Sequence, residues 1–430
     1  MNSACRSSNF RILAGIITLV LLLLAESVDA VPVEEWSRTF ESGKINYIQQ
    51  TTDDGYAIAG EISGNSWLIK TDSKGRVILN KTFVKGKAFF VLQDSNGGYD
   101  IIGQTQTGTP LIGGCGPSGN ERENLTLCWD IWLITCDYWL IKTDKNGNEL
   151  LYKKFGSKAI EVGDSASFVQ QTSEGGYILA TTLLPRVTFG DDIYKIKSED
   201  TYKSAWLIKI DNNGIEKWNR SFGKKVILHS VQQIPDGGYM LFSNSKDGIW
   251  LVEIDNGGNE EWNLTINDKG PLSGQLLSTQ QTEDGNYITC GWKRLHNTSD
   301  SDALLAKIDI LGIEQWNKTF GGKKEDSAIA VKQVLNGYVL LGRSYEDEDW
   351  NIWLLKTDMD GDEQWNKTFG RNIFSFQQTT DGGFILAGDS SIIKLGTKSA
   401  KSVIGFEGPI ALFSIVILFL KFRLKLDVSW

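Results

Sequence analysis

The sequence repeats itself, and the size of the repeat limits what the chain can build. From Trp353 to Gly388 it reads WLLKTD, a turn with Gly361, EQWNKTFG, a spacer, FQQTTDGG and FILAG. Aligned on a Gly-Tyr element, the copies fall at Gly55-Tyr56, Gly98-Tyr99, Gly176-Tyr177, Gly238-Tyr239, Asn286-Tyr287, Gly337-Tyr338 and Gly383-Phe384. Where nothing is inserted, the step is 43, 48 or 46 residues. Steps of about 40 to 50 residues made of short strands build propeller blades rather than helical solenoids. No helical period competes with this pattern.

Each copy reads as four strands, lettered here in chain order. Strand a is the WNKTF element (Trp218 to Phe222, Trp316 to Phe320, Trp365 to Phe369), b the Gln-Gln element, c YILAG and d WLIKTD. Between b and c stands Asp-Gly-Gly or a relative, as at Asp236-Gly237-Gly238 and Asp381-Gly382-Gly383, which gives a tight hairpin its positive φ. Between d and a stands Asp-x-x-Gly (Asp72 to Gly75, Asp144 to Gly147, Asp211 to Gly214, Asp309 to Gly312, Asp358 to Gly361), a type I turn closed by a left-handed residue. The expected fold is therefore all-β, a seven-bladed propeller of four-stranded antiparallel blades over residues 31–395. Glu34 to Phe40 is a strand a with no d before it, and Ser391 to Leu395 a strand d with no a after it. Pairing the two closes the ring and removes both edges.

The run Lys356-Thr-Asp-Met-Asp-Gly361-Asp-Glu-Gln-Trp365 resembles the tryptophan-docking repeat of quinoprotein-like propellers. The resemblance implies that strand a is outermost and that the order from axis to rim is b, c, d, a. Five of seven N-x-S/T sequons lie on strand a (Asn80, Asn219, Asn263, Asn317, Asn366), where a glycan needs a strand facing solvent. The other two, Asn124 and Asn297, lie in insertions. A plain preference of the repeat for Asn-Lys-Thr explains any single site equally well. The pairs Gln49-Gln50, Gln170-Gln171, Gln232-Gln233, Gln280-Gln281 and Gln377-Gln378 then fall on the innermost strand. There they either bridge neighbouring blades, the favoured expectation, or ring a wet channel.

Residues 1–30 carry Arg6, Arg11, an apolar run from Ile12 to Ala25, and Val28-Asp29-Ala30, the pattern of a secretory signal cleaved after Ala30. An uncleaved anchor is the weaker alternative, because a run of about 14 residues falls short of the ~20 that span a bilayer. After a polar linker, 396–402, residues 403–430 hold a short apolar core from Pro409 to Leu420 followed by Lys421, Arg423 and Lys425. The Gly405-Phe406-Glu407 head, apolar run and basic tail resemble the archaeal PGF-CTERM sorting signal, although Ile404 stands where that family has Pro. A plain C-terminal membrane anchor with its basic end inside is the alternative. Either way the expectation is an exported domain at the cell surface, tethered to the membrane by its C-terminus. A net charge of −9 argues against nucleic acid, whose binding needs a basic footprint.

The b-c and d-a turns emerge on one face and hardly vary in length. The c-d and a-b connections emerge on the other and carry the insertions: Gln104 to Tyr138, Thr181 to Ala205, and shorter ones at Trp292 to Ala303 and Arg343 to Ile352. Variable loops on one rigid face are how repeat scaffolds bind partners, so that face is the expected ligand surface. Within the first insertion Cys115 and Cys128 are a disulfide candidate, with Cys136 and Cys290 also present. The insertion also contains a tandem echo, Asp130 to Asp137 and Asp137 to Asp144. Only the second copy leads into the Gly147 turn, so strand d is placed from Trp139 onward and the first copy is expected to be an extra strand or packed loop.

No metal site is expected. The acidic clusters Asp191-Asp192, Asp300 with Asp302, and Glu346 to Asp349 lack calcium-loop spacing, and only His229 and His296 offer imidazole. No catalytic residue is assigned and no cofactor expected: there is no G-x-S-x-G elbow, H-E-x-x-H or phosphate-binding loop. The functional expectation is a binding or structural module for an unidentified protein or glycan. The alternative is an extracellular enzyme of quinoprotein-like or glycan-processing type.

Overall fold

The computed structural model describes residues 31–40, 42–117, 126–160, 168–183, 204–223, 225–267, 275–294, 300–322, 325–346, 349–370 and 373–396. The signal segment 1–30, all but the first residue of the linker 396–402, and the anchor 403–430 lie outside them. Among the described residues no helix is long and apolar enough to cross a membrane.

The repeats form seven four-stranded antiparallel sheets, each in the order b-c-d-a. In the first blade these strands are Lys44–Gln50, Tyr56–Ile62, Asn65–Thr71 and Val77–Lys85. The seventh blade, Ser375–Gln378, Phe384–Gly388 and Ser391–Gly396, takes Val33–Thr39 as its outer strand, with Trp36 opposite Lys394 and Ser37 opposite Ile393. The ring is closed by its own two ends, as the count of repeats requires.

Burial explains the strand types. Strands c and d are covered on both faces by neighbouring blades, so Tyr56–Gly60 and Ser66–Thr71 are buried without a break. Strand a is mostly exposed, as in Glu216–Phe222, and this is the rim. Seven apolar clusters each span two adjacent blades, including one that joins Ile385, Ala387 and Ile392 of the last to Ile45, Ile58 and Ile69 of the first. Each blade therefore completes its core only against its neighbour.

The two glycine turns are built differently. In the d-a turn Gly75, at φ +74°, donates its N–H to Asp72 O at 3.1 Å, while Asp72 Oδ1 accepts the amides of Lys74 and Arg76. In Asp236-Gly237-Gly238 only Gly237 takes a positive φ, +92°. Gly238 is required by space, since a β-carbon there would lie 2.4 Å from Ile254 O at the end of strand d.

Three polar or aromatic devices join the blades beside the cores. The first is the glutamine pair. Gln50 N donates to Gln377 Oε1 at 2.7 Å while Thr380 N donates to Gln50 Oε1 at 2.9 Å, clasping blades 7 and 1. The same reciprocal bonds join blades 3 and 4 through Gln170, Ser173 and Gln233, and blades 5 and 6 through Gln280, Glu283 and Gln333. These amides bridge blades, as favoured from the sequence.

The second device is a lysine of strand d paired with a carboxylate of its own blade: Lys70–Asp53, Lys142–Asp100, Lys209–Glu174, Lys307–Asp284 and Lys394–Asp381, at 2.6 to 2.9 Å. The c-strand tyrosine of the following blade packs against this pair. The third is a strand-a tryptophan seated on the turn glycine of the next blade, so that a β-carbon on Gly75 would lie 2.6 Å from Trp36 and one on Gly361 2.7 Å from Trp316. Trp36 and Trp316 also meet Tyr56 and Tyr338 edge-on or tilted, at 5.9 and 6.0 Å.

Candidate functional site

The loop-bearing face differs from the turn-bearing face as expected. In blade 2 the c and d strands, Tyr99–Pro117 and Thr126–Thr143, pair far beyond the blade, from Gln104 opposite Tyr138 out to Pro117 opposite Thr126. Thirteen further residues at ~3.3 Å each make an arm of roughly 40 Å. Gly103 faces Trp139 just as Gly60 faces Trp67, so within the blade Trp139 holds the register position of the strand-d tryptophan, while the strand itself begins earlier, at Thr126. The upstream echo, expected to be an extra strand or packed loop, is instead the outer part of the same strand, and the ladder continues through it with Ile134 opposite Gly108.

Cys115 lies directly opposite Cys128 in this ladder. Cys290, by contrast, is a buried free thiol on strand c of blade 5, where burial pushes its pKa up.

The richest side-chain grouping on this face lies between blades 5 and 6. Asp302, on Ser301–Ile308, and Asp326, on Asp326–Val334, converge on one glycine: a β-carbon on Gly321 would lie 2.6 Å from Asp302 Oδ1 and 2.9 Å from Asp326 Oδ2. Asp302 Oδ1 is buried and has no hydrogen-bond partner among the described residues. Burial, and then the charge of Asp300, raise the Asp302 pKa.

On the other side of the blade-6 sheet, the side turned to blade 7, the hairpin aligns Ser327 with Arg343 and Tyr345 with Trp350. The Tyr345 and Trp350 rings are tilted at 5.2 Å, and the Arg343 guanidinium sits 4.6 Å over Trp350 while its Nε donates to Ser327 Oγ at 3.1 Å. The sequence singled out Asp300 and Asp302 but not Asp326 or this aromatic pair. Asp326 lies in the next repeat, and only the ring of blades brings it alongside.

A second feature is a cleft of about 400 Å³ at the base of the arm, lined by Glu61, Lys85, Lys87, Gln104 and Thr105. Gln104 is 2% exposed there, and its Oε1 has no partner among the described residues. At the inner end of blade 4, His229 Nε2 lies 2.6 Å from Asn244 Nδ2, and burial lowers its pKa to about 4. The imidazole is therefore neutral near pH 7, and Nε2 accepts the Asn244 hydrogen.

Of the sequon asparagines, Asn80, Asn219, Asn263 and Asn366 are exposed on the rim strand and Asn317 is half-buried. Asn80 Oδ1 accepts the Trp67 indole N–H at 2.7 Å, and Asn263 donates to Glu260 at 2.6 Å. Asn219, Asn317 and Asn366 donate in the same way to Glu216, Glu314 and Glu363, which gives the repeat a structural use for asparagine as well. Asn124, Asn297, His296 and Asp191-Asp192 lie outside the described residues. Among the described residues no three His, Cys, Asp or Glu side chains gather as a metal-ligand set.

No family model and no curated protein matches the chain. Among solved structures it is similar to a streptogramin B lyase, at 11% identity and TM-score 0.47, covering 84% of this chain and 98% of that one. A catalytically inactive virginiamycin B lyase from Staphylococcus aureus with quinupristin aligns at 10% identity and TM-score 0.49, covering 85% and 98%. A Dyadobacter fermentans protein of unknown function aligns at 9% identity and TM-score 0.38, covering 85% and 99%.

Proposed function

We propose that the chain is an exported, surface-anchored binding propeller that holds a carbohydrate on its loop-bearing face, at the outer end of the blade-6 hairpin. The observation that carries this is the Tyr345–Trp350 pair under Arg343 on the blade-6 hairpin, with Asp302 and Asp326 across the same sheet. Flat rings offer stacking surfaces for the C–H faces of a sugar, and paired carboxylates accept its hydroxyl hydrogens. Export is supported by the apolar run from Ile12 to Ala25, and anchoring by the segment from Gly405 to Lys425. An archaeal, PGF-CTERM-like anchor and a kinship with quinoprotein-like propellers belong to the same proposal, resting on Gly405 to Glu407 and on Lys356 to Trp365.

One observation favours a second reading, a glycan-processing enzyme. Asp302, with its raised pKa, stands beside another carboxylate, the pairing that glycoside hydrolysis uses. A glycan array probed with the intact protein, with Trp350→Ala and with Asp302→Asn separates the two. Binding lost in W350A, with no sugar cleaved, supports the binding module, whereas cleavage abolished in D302N with binding retained supports the enzyme. Absence of any glycan binding, or W350A behaving as wild type, rules out this site.

A further inference from the structure

The junction between blades 4 and 5 lacks all three joining devices in their usual form. Glu253 stands where strand d elsewhere carries lysine, as comparison of WLVEI with WLIKT shows. Pro235 has no N–H to complete the glutamine clasp, which keeps only the bond from Gln281 N to Gln232 Oε1. Trp262 is not seated on the Gly312 turn, where a β-carbon would meet Leu251, Leu264 and Ile266 instead. Its indole N–H turns to Glu253 Oε2, at 3.0 Å.

A cleft of about 340 Å³ opens at this junction on the turn-bearing face. Asp236 and Glu253 line it together with Tyr287, Trp262, Ile310 and Leu311. In blade 3 the equivalent place is filled by the protein's own ammonium, Lys209 Nζ, at 2.9 Å from Glu174 and 5.6 Å from the Tyr239 ring.

Two further observations point outward to a ligand. Tyr287 is 3% exposed, lines the cleft, and its hydroxyl has no hydrogen-bond partner among the described residues. The turn Asp309-Ile310-Leu311-Gly312-Ile313 carries three aliphatic side chains that are 57, 61 and 60% exposed, where the turns of blades 1 and 2 have Ser73, Lys74 and Arg76, and Lys145, Asn146 and Asn148. Burial, and then the charges of Glu253 and Asp236, push the Tyr287 pKa up to about 12, so the hydroxyl keeps its proton and donates.

We infer that this cleft binds a primary alkylammonium, which replaces the lysine that blade 4 lacks. The charged head sits between Asp236 and Glu253, and the methylene stem lies along Ile310, Leu311 and Trp262. A free amine and the lysine side chain of a partner polypeptide share this chemistry. The site lies on the face opposite the carbohydrate site and is independent of it.

Calorimetric titration of the full-length protein tests the inference with three probes: n-butylamine hydrochloride, n-butanol as its uncharged counterpart, and acetyl-Gly-Lys-Gly-amide. n-Butylammonium is expected to bind at least tenfold more tightly than n-butanol. Glu253→Gln should weaken it about tenfold. Glu253→Lys, which restores the repeat's own ammonium, should abolish binding without lowering the melting temperature. Tighter binding of the peptide assigns the site to a polypeptide lysine, and equal affinity assigns it to a free amine. Equal binding of butanol and butylammonium, no binding of either cation, or full binding by a folded E253K protein overturns the inference.

Discussion

Tyr177 donates a 2.5 Å hydrogen bond to Oδ2 of Asp100 across the boundary between blades 2 and 3, and the same oxygen receives Lys142 Nζ at 2.6 Å. The hydroxyl thus adds a second donor to one oxygen of a buried carboxylate in the adjacent blade, whose Oδ1 has no partner among the described residues. Tyr239, at the equivalent position of blade 4, leaves its hydroxyl without a partner among the described residues although its ring is fully buried. One repeat position therefore holds two energetically different hydroxyls.

Tyr177→Phe is expected to destabilise the protein by about 1.5 to 3 kcal/mol, the range for a hydrogen bond to a charged group. Tyr239→Phe removes a hydroxyl that is desolvated and unpaired, and is expected to be neutral or stabilising. Urea unfolding of the two variants checks this. Equal losses in both would mean that the ring alone matters at this position.

Closure of the ring makes a second expectation. Val33–Thr39 covers the edge of Ser391–Gly396, and Trp36 seats on the Gly75 turn of blade 1. A chain starting at residue 41 should lose most of its thermal stability and self-associate through the exposed edge. Adding a peptide of residues 31–40 should restore the monomer, as followed by light scattering. A truncated chain that stays monomeric with unchanged melting would separate closure from stability.

The seven blades were legible because the Gly-Tyr element and the Asp-x-x-Gly turn are local signals that survive every insertion. The axis-to-rim order was legible through the resemblance of Lys356 to Trp365 to the tryptophan-docking repeat and through the sequons on strand a. The lysine pairs were not. Lys307 and Asp284 are separated by a whole strand, and nothing in WLIK says that its lysine turns back to the preceding turn. The signal was nevertheless present, since the lysine recurs at one register position and Glu253 breaks it. The meeting of Asp302 with Asp326 was beyond reach, because it depends on the angle between two blades rather than on either repeat.

The Lys307–Asp284 pair makes stability depend on acid. The hydrogen bond from Lys307, followed by that from Thr282, lowers the Asp284 pKa well below the ordinary carboxylate value. A depressed carboxylate stabilises the fold above its unfolded pKa of about 4, and that contribution is lost as the pH falls through the folded value. Asp284→Asn leaves the largely buried Lys307 without its counter-charge. Because Asp284 is 48% exposed, the expected cost is at the low end for broken ion pairs, about 1 to 3 kcal/mol at pH 7. The gap between wild type and D284N should narrow steadily below pH 4 in denaturant titrations. A gap that widened there would reverse the assigned direction.

The cysteines give the sharpest contrast between two environments in one chain. Cys115 and Cys128 face each other in an antiparallel ladder, and directly opposed residues have Cα separations of about 4.5 or 5.5 Å, both within the span a disulfide bridges. Closing so short a loop in an oxidising compartment constrains the unfolded arm by about 3 kcal/mol in the chain-entropy estimate. Peptide mapping without reductant is therefore expected to recover Cys115 joined to Cys128. Cys290 is buried within the cluster that joins blades 5 and 6, its Sγ lies 3.5 Å from Ala328 O, and burial holds it as the unreactive thiol. It should resist iodoacetamide in the folded protein and react only as the propeller unfolds. Rapid alkylation of Cys290 under native conditions would mean that blades 5 and 6 part readily, and with them the glycine on which Asp302 and Asp326 converge.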